Sequence, residues 1–195
     1  MRITGGELRG RKLSSPKGLR VRPTSDMVRQ ALFNILNHNY VQDWNAIKVL
    51  DLFAGTGALG IEALSRGAKE ALFVDFHPVS IDVLRNNLNR LGLTSKAKIV
   101  KSKIDLPSKK LLKMLRSQKF HLVFSDAPYS SGLSEKALNL ILETGCLANQ
   151  GIVVVEERKG VEMPSEITSK DLSLRLCDRR LYGQSSLWFY EANQA

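Results

Sequence analysis

Two short stretches of this chain carry residues whose types and spacing suit chemistry. The first is Asp51-Leu52-Phe53-Ala54-Gly55-Thr56-Gly57-Ala58-Leu59-Gly60, which follows an apolar run and leads into a helical pattern. Gly55 and Gly57 permit positive φ and a close approach of backbone to a ligand. A helix beginning here offers free N–H groups. Gly55, Gly57 and Gly60 satisfy a G-x-G-x-x-G spacing, and Asp75 lies 20 residues beyond Gly55, where an acid can hold ribose hydroxyls. On spacing alone a dinucleotide fits nearly as well as another nucleoside cofactor. Asp51 shifts that balance: a carboxylate at the strand end repels a pyrophosphate and suits a cofactor with a cationic tail. The second stretch is an apolar run from Phe120 that ends in Asp126-Ala127-Pro128-Tyr129.

The Asp-x-Phe-Ala-Gly-Thr-Gly pattern resembles motif I of class I methyltransferases. Their donor, S-adenosylmethionine, carries an ammonium and a sulfonium, the charge pattern that Asp51 suits. Asp126 to Tyr129 resembles the (Asp/Asn)-Pro-Pro-(Tyr/Phe) motif of methyltransferases that act on planar amino groups. Such a nitrogen is a poor nucleophile, because its lone pair is delocalised into the ring. On this resemblance Asp126 accepts one N–H and the Ala127 carbonyl the other, so that the lone pair faces the methyl group. The ring of Tyr129 stacks on the base, and a base inside a helix must first be splayed out. Ala127 stands where the motif usually has its first proline. The carbonyl survives that change, and Pro128 still biases Ala127 toward extended geometry.

These residues need a frame that presents strand ends, and the rest of the chain predicts one. Strands are expected at 47–53, 71–75, 98–100, 120–125 and 151–156. Helices are expected at 25–37 with Thr24 or Ser25 as cap, and at 59–65, 78–91, 108–117 and 134–144. On the helix from Pro78, Val79, Val83, Leu84, Leu88 and Leu91 are expected to face inward. Strands alternating with helices imply parallel βαβ units in an open α/β sheet. The end differs: runs at 173–181 and 185–190 flank Tyr182-Gly183-Gln184 and read as a hairpin. Residues 1–24, rich in Gly, Arg and Pro, read as a basic arm or hairpin packed into a single domain that continues over 25–195.

Length and charge bound the function. The 195 residues suit one domain, and 43% hydrophobic residues exclude a disordered chain. The formal charge is +10 and the pI about 9.8, which points to an anionic partner. The excess is localised. Residues 1–30 hold eight basic against two acidic residues, and residues 101–119 hold seven against one, so each block carries a net +6. Two cysteines, Cys146 and Cys177, form no CxxC pair and read as buried free thiols of a reducing compartment. His38, His77 and His121 are scattered, so no metal site is expected. The chain has no 20-residue apolar run and no signal-peptide pattern, so the expectation is a cytoplasmic protein with no membrane partner, and a monomer.

Over nearly its full length the chain resembles the bacterial small-subunit ribosomal RNA (guanine-N2) methyltransferases of the RsmD type. The resemblance rests on residues 3–13 (Ile-Thr-Gly-Gly-Glu-Leu-Arg-Gly-Arg-Lys-Leu), on 22–34 (Arg-Pro-Thr-Ser-Asp-Met-Val-Arg-Gln-Ala-Leu-Phe-Asn), on the two motifs in order, and on Leu181-Tyr182-Gly183-Gln184-Ser185. Gln30 stands where the family tends to have Glu, and Lys103 where an acid or amide often sits near the adenine. The resemblance implies seven strands with the last antiparallel, and S-adenosylmethionine as donor. It also implies a guanine amino group in 16S ribosomal RNA, free or in an assembling small subunit, as acceptor. Asp51, Phe53, Ala54, Gly55, Gly57, Asp75 and Phe76 are then expected to hold the donor. Asp126, Ala127, Pro128 and Tyr129 orient the base. Arg9, Arg11, Lys12 and Arg22 contact phosphates. The competing readings are a nucleic-acid-binding protein that keeps the cofactor fold without catalysis, a DNA or glutamine-amide methyltransferase, and a nicotinamide oxidoreductase.

Overall fold

The computed structural model describes residues 1–15, 26–129 and 131–194. The expected helix cap at Thr24 or Ser25, and the phosphate contact expected of Arg22, lie outside the described residues. The chain divides into two compact units, Met1–Lys101 and Ser102–Ala195.

The first unit contains α1 (Asp26–Asn39), β1 (Lys48–Leu52), α2 (Ala58–Ser65), β2 (Glu70–Asp75), α3 (Pro78–Leu91) and β3 (Ala97–Lys101). Its strands are parallel and run in the order β3-β2-β1. The expected boundaries hold to within two residues, and α3 matches them at both ends. Pro at the first position and Gly92 in the left-handed region (φ 70°) delimit α3, the asymmetry that helix ends favour. Apolar runs such as Val49-Leu50 and Ala71-Leu72-Phe73-Val74 are buried on both faces, as parallel strands are. Two inward assignments on α3 need correction. Val79 is 45% exposed and Val83 is half-buried, because the buried stripe runs through Ser80, Ile81, Leu84, Asn87, Leu88 and Leu91.

The second unit contains α4 (Lys109–Arg116), β4 (Phe120–Ser125), α5 (Leu133–Thr144), β5 (Leu147–Arg158), β6 (Glu166–Thr168), β7 (Leu172–Tyr182) and β8 (Ser185–Gln194). Its strand order is β4-β5-β8-β7-β6, with β5 parallel to β4 and β8 antiparallel to both β5 and β7. The architecture is therefore parallel βαβ units followed by antiparallel final strands. The described residues hold eight strands where seven were expected. The extra one is β6, three residues long and half-buried at best, too short to leave a periodic signal. The hairpin turn is Gly183-Gln184, with Gly183 at φ 58°. Cys146 is buried as expected, but Cys177 is exposed. It sits where the β7–β8 register shifts between Leu176 and Asp178, which turns an otherwise alternating position outward.

Candidate functional site

β1 and β2 pair in register through Leu52 and Val74, and Ala54 N–H extends the pairing to Val74 O at 2.9 Å. This places the glycine loop beside Asp75. The loop is wound by Phe53 (φ 61°), Gly55 (φ 55°) and Gly57 (φ 81°). A phenylalanine in the left-handed region costs about 1–2 kcal/mol, so the loop is held against strain at Phe53. Gly55 has room where a side chain would begin. The other two glycines have a different reason. A Cβ on Gly57 would lie 2.4 Å from Leu84 Cδ1, and one on Gly60 would lie 2.3 Å from the Phe73 ring. The G-x-G-x-x-G spacing thus reports one position left open and two that allow α2 to pack closely.

Asp51 is buried at 1% exposure and accepts Gly60 N–H at 2.9 Å through Oδ2. It therefore caps the first turn of α2 as well as standing at the loop. Burial pushes its carboxyl up to about 7; the Gly60 hydrogen bond opposes this and the nearby Asp75 charge adds to it. Asp75 accepts Gly55 N–H at 2.8 Å and His77 N–H at 2.8 Å, one on each oxygen. Each oxygen keeps a second lone pair. Phe76 and Val79, both apolar, are 47% and 45% exposed beside Asp75. His77 Nδ1 is buried with no hydrogen-bond partner. Among the described residues no cation pairs with either acid. Two such acids, an exposed apolar face and an unpartnered ring nitrogen together fit a ligand with a cationic tail, a ribose and an aromatic ring.

The arm is not a free tail. Arg2 bridges Lys12, Ile3 N–H reaches Arg11 O at 3.0 Å and Gly10 N–H reaches Ile3 O at 2.8 Å, with Ile3 and Leu13 buried. The ribbon docks on α2. Thr4 donates from its N–H and its hydroxyl to the two oxygens of Glu62, both at 2.8 Å, and Leu8 N–H reaches Ser65 Oγ at 3.0 Å. Glu62 is fully buried and also meets Arg66 (3.0 Å) and the fully buried Arg29 (3.4 Å), which pairs with Asp26 at 2.8 Å. Burial pushes the Asp26 carboxyl up, but Arg29 and the Arg2 N–H outweigh it and hold it below the usual range. Gly5 and Gly6 exist for this contact: a Cβ on Gly6 would come within 1.9 Å of Ser65 O. The docking leaves Arg9, Arg11 and Lys12 exposed. Among the described residues no carboxylate lies within ion-pair distance of these three. Glu62 and Arg29 were not anticipated. Their signal was a charged residue set within an apolar helical stripe.

In the second unit, β4 ends at Ser125, whose buried Oγ has no hydrogen-bond partner. The turn that follows has Asp126 half-buried, Ala127 buried, Pro128 exposed and Tyr129 half-buried. Ser131 Oγ donates to Pro128 O at 2.5 Å, and α5 then starts from Gly132 (φ 68°). The Tyr129 phenol donates to Glu156 Oε1 at 2.9 Å and lies 2.8 Å from Ser185 Oγ. Burial pushes the phenol up to about 12, with the Glu156 and Asp126 charges adding to it, so it stays a neutral donor at any physiological pH. Glu156 on β5 and Ser185 after the hairpin turn were missed as site residues; the block Leu181 to Ser185 contained the signal. The second basic block forms one side of α4. Lys109, Lys113 and Arg116 line, with Leu112 and Ser117, a cavity of about 450 Å³. Among the described residues no cluster of His, Cys, Asp and Glu could hold a metal ion, and no helix is long and apolar enough to cross a membrane.

Comparison with known proteins finds relatives of both the sequence and the fold. A family model described as conserved hypothetical protein 95 matches residues 1–191. The ribosomal RNA small subunit methyltransferase D of Escherichia coli (strain K12) is 34% identical over 194 residues, covering 95% of this chain and 93% of its own. A solved structure of a hypothetical protein from Thermus thermophilus superposes with a TM-score of 0.77 at 31% identity, covering 97% of this chain and 98% of that one. An RNA methyltransferase from Salinibacter ruber, solved with S-adenosyl-L-homocysteine, shares the fold at a TM-score of 0.60 and 14% identity, covering 87% and 92%.

Proposed function

The chain belongs to the conserved hypothetical protein 95 family, the RsmD type of ribosomal RNA methyltransferases, and from that premise we propose how its residues carry the reaction. The protein transfers a methyl group to the exocyclic N2 of a guanine in 16S ribosomal RNA. S-adenosylmethionine, when bound, supplies a methyl group on a sulfonium. Asp51 meets the ammonium of the donor, and Phe53, Ala54 and Gly55 shape the turn around its amino-acid end. Asp75 uses its remaining lone pairs for ribose hydroxyls, and Phe76 with Val79 offers an apolar face to the adenine. Asp126 and the Ala127 carbonyl accept the two N–H bonds of the guanine amino group, and Tyr129 stacks on the base. Held in this way, the amino nitrogen would present its lone pair to the methyl carbon, the N–C bond forming as the C–S bond of the sulfonium breaks, with no covalent enzyme intermediate. The proton leaves afterwards to Asp126 or to water. Arg9, Arg11 and Lys12 meet RNA phosphates, joined by Arg22.

The observation that carries this reading is the pair of acids at the ends of β1 and β2. Asp51 is buried, its carboxyl raised to about 7, and among the described residues no cation offsets it or Asp75. A pyrophosphate would worsen that arrangement, whereas an ammonium relieves it. The test is transfer of a labelled methyl group from S-adenosylmethionine to small ribosomal subunits that lack the modification. Wild-type protein labels the RNA and Asp126→Ala does not. Binding of NADH without binding of S-adenosylmethionine would sink the reading. Donor binding without transfer would leave a cofactor-holding RNA-binding protein.

A further inference from the structure

α3 carries one polar residue in the middle of its buried face. Asn87 is 0% exposed and sits among Ile81, Leu84, Leu88 and Leu91, where an apolar side chain is the ordinary choice. Its amide is engaged at every polar atom. Oδ1 accepts Ser14 N–H at 2.8 Å. Nδ2 donates to Ser14 O at 3.1 Å and to Thr56 O at 3.0 Å. Ser14 belongs to the arm, five residues or fewer from Arg9, Arg11 and Lys12. Thr56 lies between Gly55 and Gly57, the two left-handed glycines of the donor loop. One planar amide therefore spans both.

A second contact joins the same two segments, since Thr56 Oγ1 lies 3.9 Å from Met1 Sδ. Arg90, one turn further along α3, donates to Ser14 Oγ at 3.0 Å and to Lys12 O. The arm is thus pinned to α3 at the point where α3 also holds the glycine loop. The Thr56 carbonyl belongs to the peptide that leads into Gly57 (φ 81°), so its bond to Asn87 fixes the orientation of that peptide plane at the start of α2. An asparagine is required for this: an isosteric leucine would leave Ser14 N–H, Ser14 O and Thr56 O without a partner.

We propose that Asn87 is a positioning residue that couples RNA held on the arm to the donor held on the glycine loop. The proposal rests on the function proposed above. RNA bound to the arm braces Ser14, and Ser14 braces the Thr56 peptide through Asn87, so the loop meets the donor already held in place. By linkage the donor strengthens RNA binding by the same factor.

The experiment is a binding cycle read by calorimetry and fluorescence anisotropy. S-adenosylhomocysteine is titrated into the full chain with and without saturating unmethylated 16S ribosomal RNA transcript, and the transcript is titrated with and without S-adenosylhomocysteine. Wild-type protein is expected to bind each ligand at least about fivefold more tightly in the presence of the other. Asn87→Ala is expected to bind both ligands with that ratio reduced to about one. Ser14→Pro removes the N–H that Oδ1 accepts together with the Oγ that Arg90 reaches, Ser14→Ala removes the Oγ alone, and a ratio lost in the first but kept in the second decides the matter if Asn87→Ala does not fold. A purely structural Asn87 would lower the melting temperature and leave the ratio intact, which would overturn the proposal, as would a ratio of one in the wild type. Loss of S-adenosylhomocysteine binding in the wild type would sink the functional reading itself. Independent binding of both ligands would sink only the coupling.

Discussion

The Tyr129 phenol donates to Glu156 Oε1 at 2.9 Å, which ties the ring proposed to stack on the base to the last residues of β5, near Arg158. Glu156 is only 5% exposed, so the bond forms where water offers little alternative. Tyr129→Phe keeps the ring and removes the bond. It is expected to cost about 1–3 kcal/mol of stability by removing one hydrogen bond to a buried carboxylate, with turnover falling less than tenfold. Tyr129→Ala removes the stacking surface and should raise the KM for RNA by about 5- to 150-fold, equivalent to about 1–3 kcal/mol. Chemical denaturation and steady-state methyl transfer on the two variants separate the hydroxyl from the ring.

On the proposed assignment, Asp51 should make donor binding weaken as the pH falls. Its carboxyl titrates near 7 in the ligand-free protein, and the ionised form is the one an ammonium needs. Below about pH 7 the proton competes with the donor, and affinity should fall toward tenfold per pH unit. Between pH 7 and 8 it should level. Calorimetric titration of S-adenosylhomocysteine from pH 6 to pH 8 checks this, and Asp51→Asn should bind weakly with a flat profile. In the ligand-free protein the raised value acts the other way on the fold. The stability this group contributes is fully present below the unfolded value of 3.8 and is lost as the pH rises through about 7.

Glu62 is the centre of the arm's attachment. Glu62→Ala takes one carboxylate away from the fully buried Arg29, which keeps Asp26 and the Arg2 carbonyl, and removes both acceptors of Thr4. Breaking one partner of a buried pair costs about 3–5 kcal/mol. The melting temperature should drop by about 6–20 °C, since a domain of this length loses about 2–4 °C per kcal/mol. Limited proteolysis should then cut within residues 1–15 before the rest of the chain. A variant whose arm resists cleavage as well as the wild type would show that Glu62 does not hold it.

The two basic blocks are expected to differ in their use. Neutralising Arg9, Arg11 and Lys12 should weaken RNA binding more than neutralising Lys109, Lys110 and Lys113. The slope of log affinity against log salt should fall by up to about 0.9 for each phosphate that is no longer neutralised. Both sets are exposed and, among the described residues, without a carboxylate in ion-pair distance, so the comparison isolates position from charge. Equal losses from the two triple variants would mean that net charge alone draws the RNA.

Much of the frame was legible in the residues. Strand and helix positions followed from apolar runs and from Pro78, Gly92, Ser108 and Gly183, whose preferences are local and act within one turn of chain. Val79 and Val83 were misplaced because a helical stripe drifts with its 3.6-residue period, and the polar Ser80 and Asn87 occupy buried positions that hydropathy assigns to solvent. β6 was missed because three residues carry no period. Cys177 was misjudged because a register shift in one strand is dictated by its partner.

By themselves the residues of this chain determined the chemistry available to it: an acid before a glycine turn, an acid 20 residues on, an Asp-Ala-Pro-Tyr turn and a basic amino-terminal block. These signals lie within single turns or loops, where residue type and spacing act directly. Only the tertiary structure decided what each residue is for. It gave Gly57 and Gly60 to helix packing, made the arm a ribbon pinned by Glu62 and Asn87, and tied Tyr129 to Glu156. Those contacts join residues 58, 73 and 27 positions apart. Pairing at such distances is selected by the folded core, through the cost of leaving buried polar groups without partners, and no short window of sequence records it.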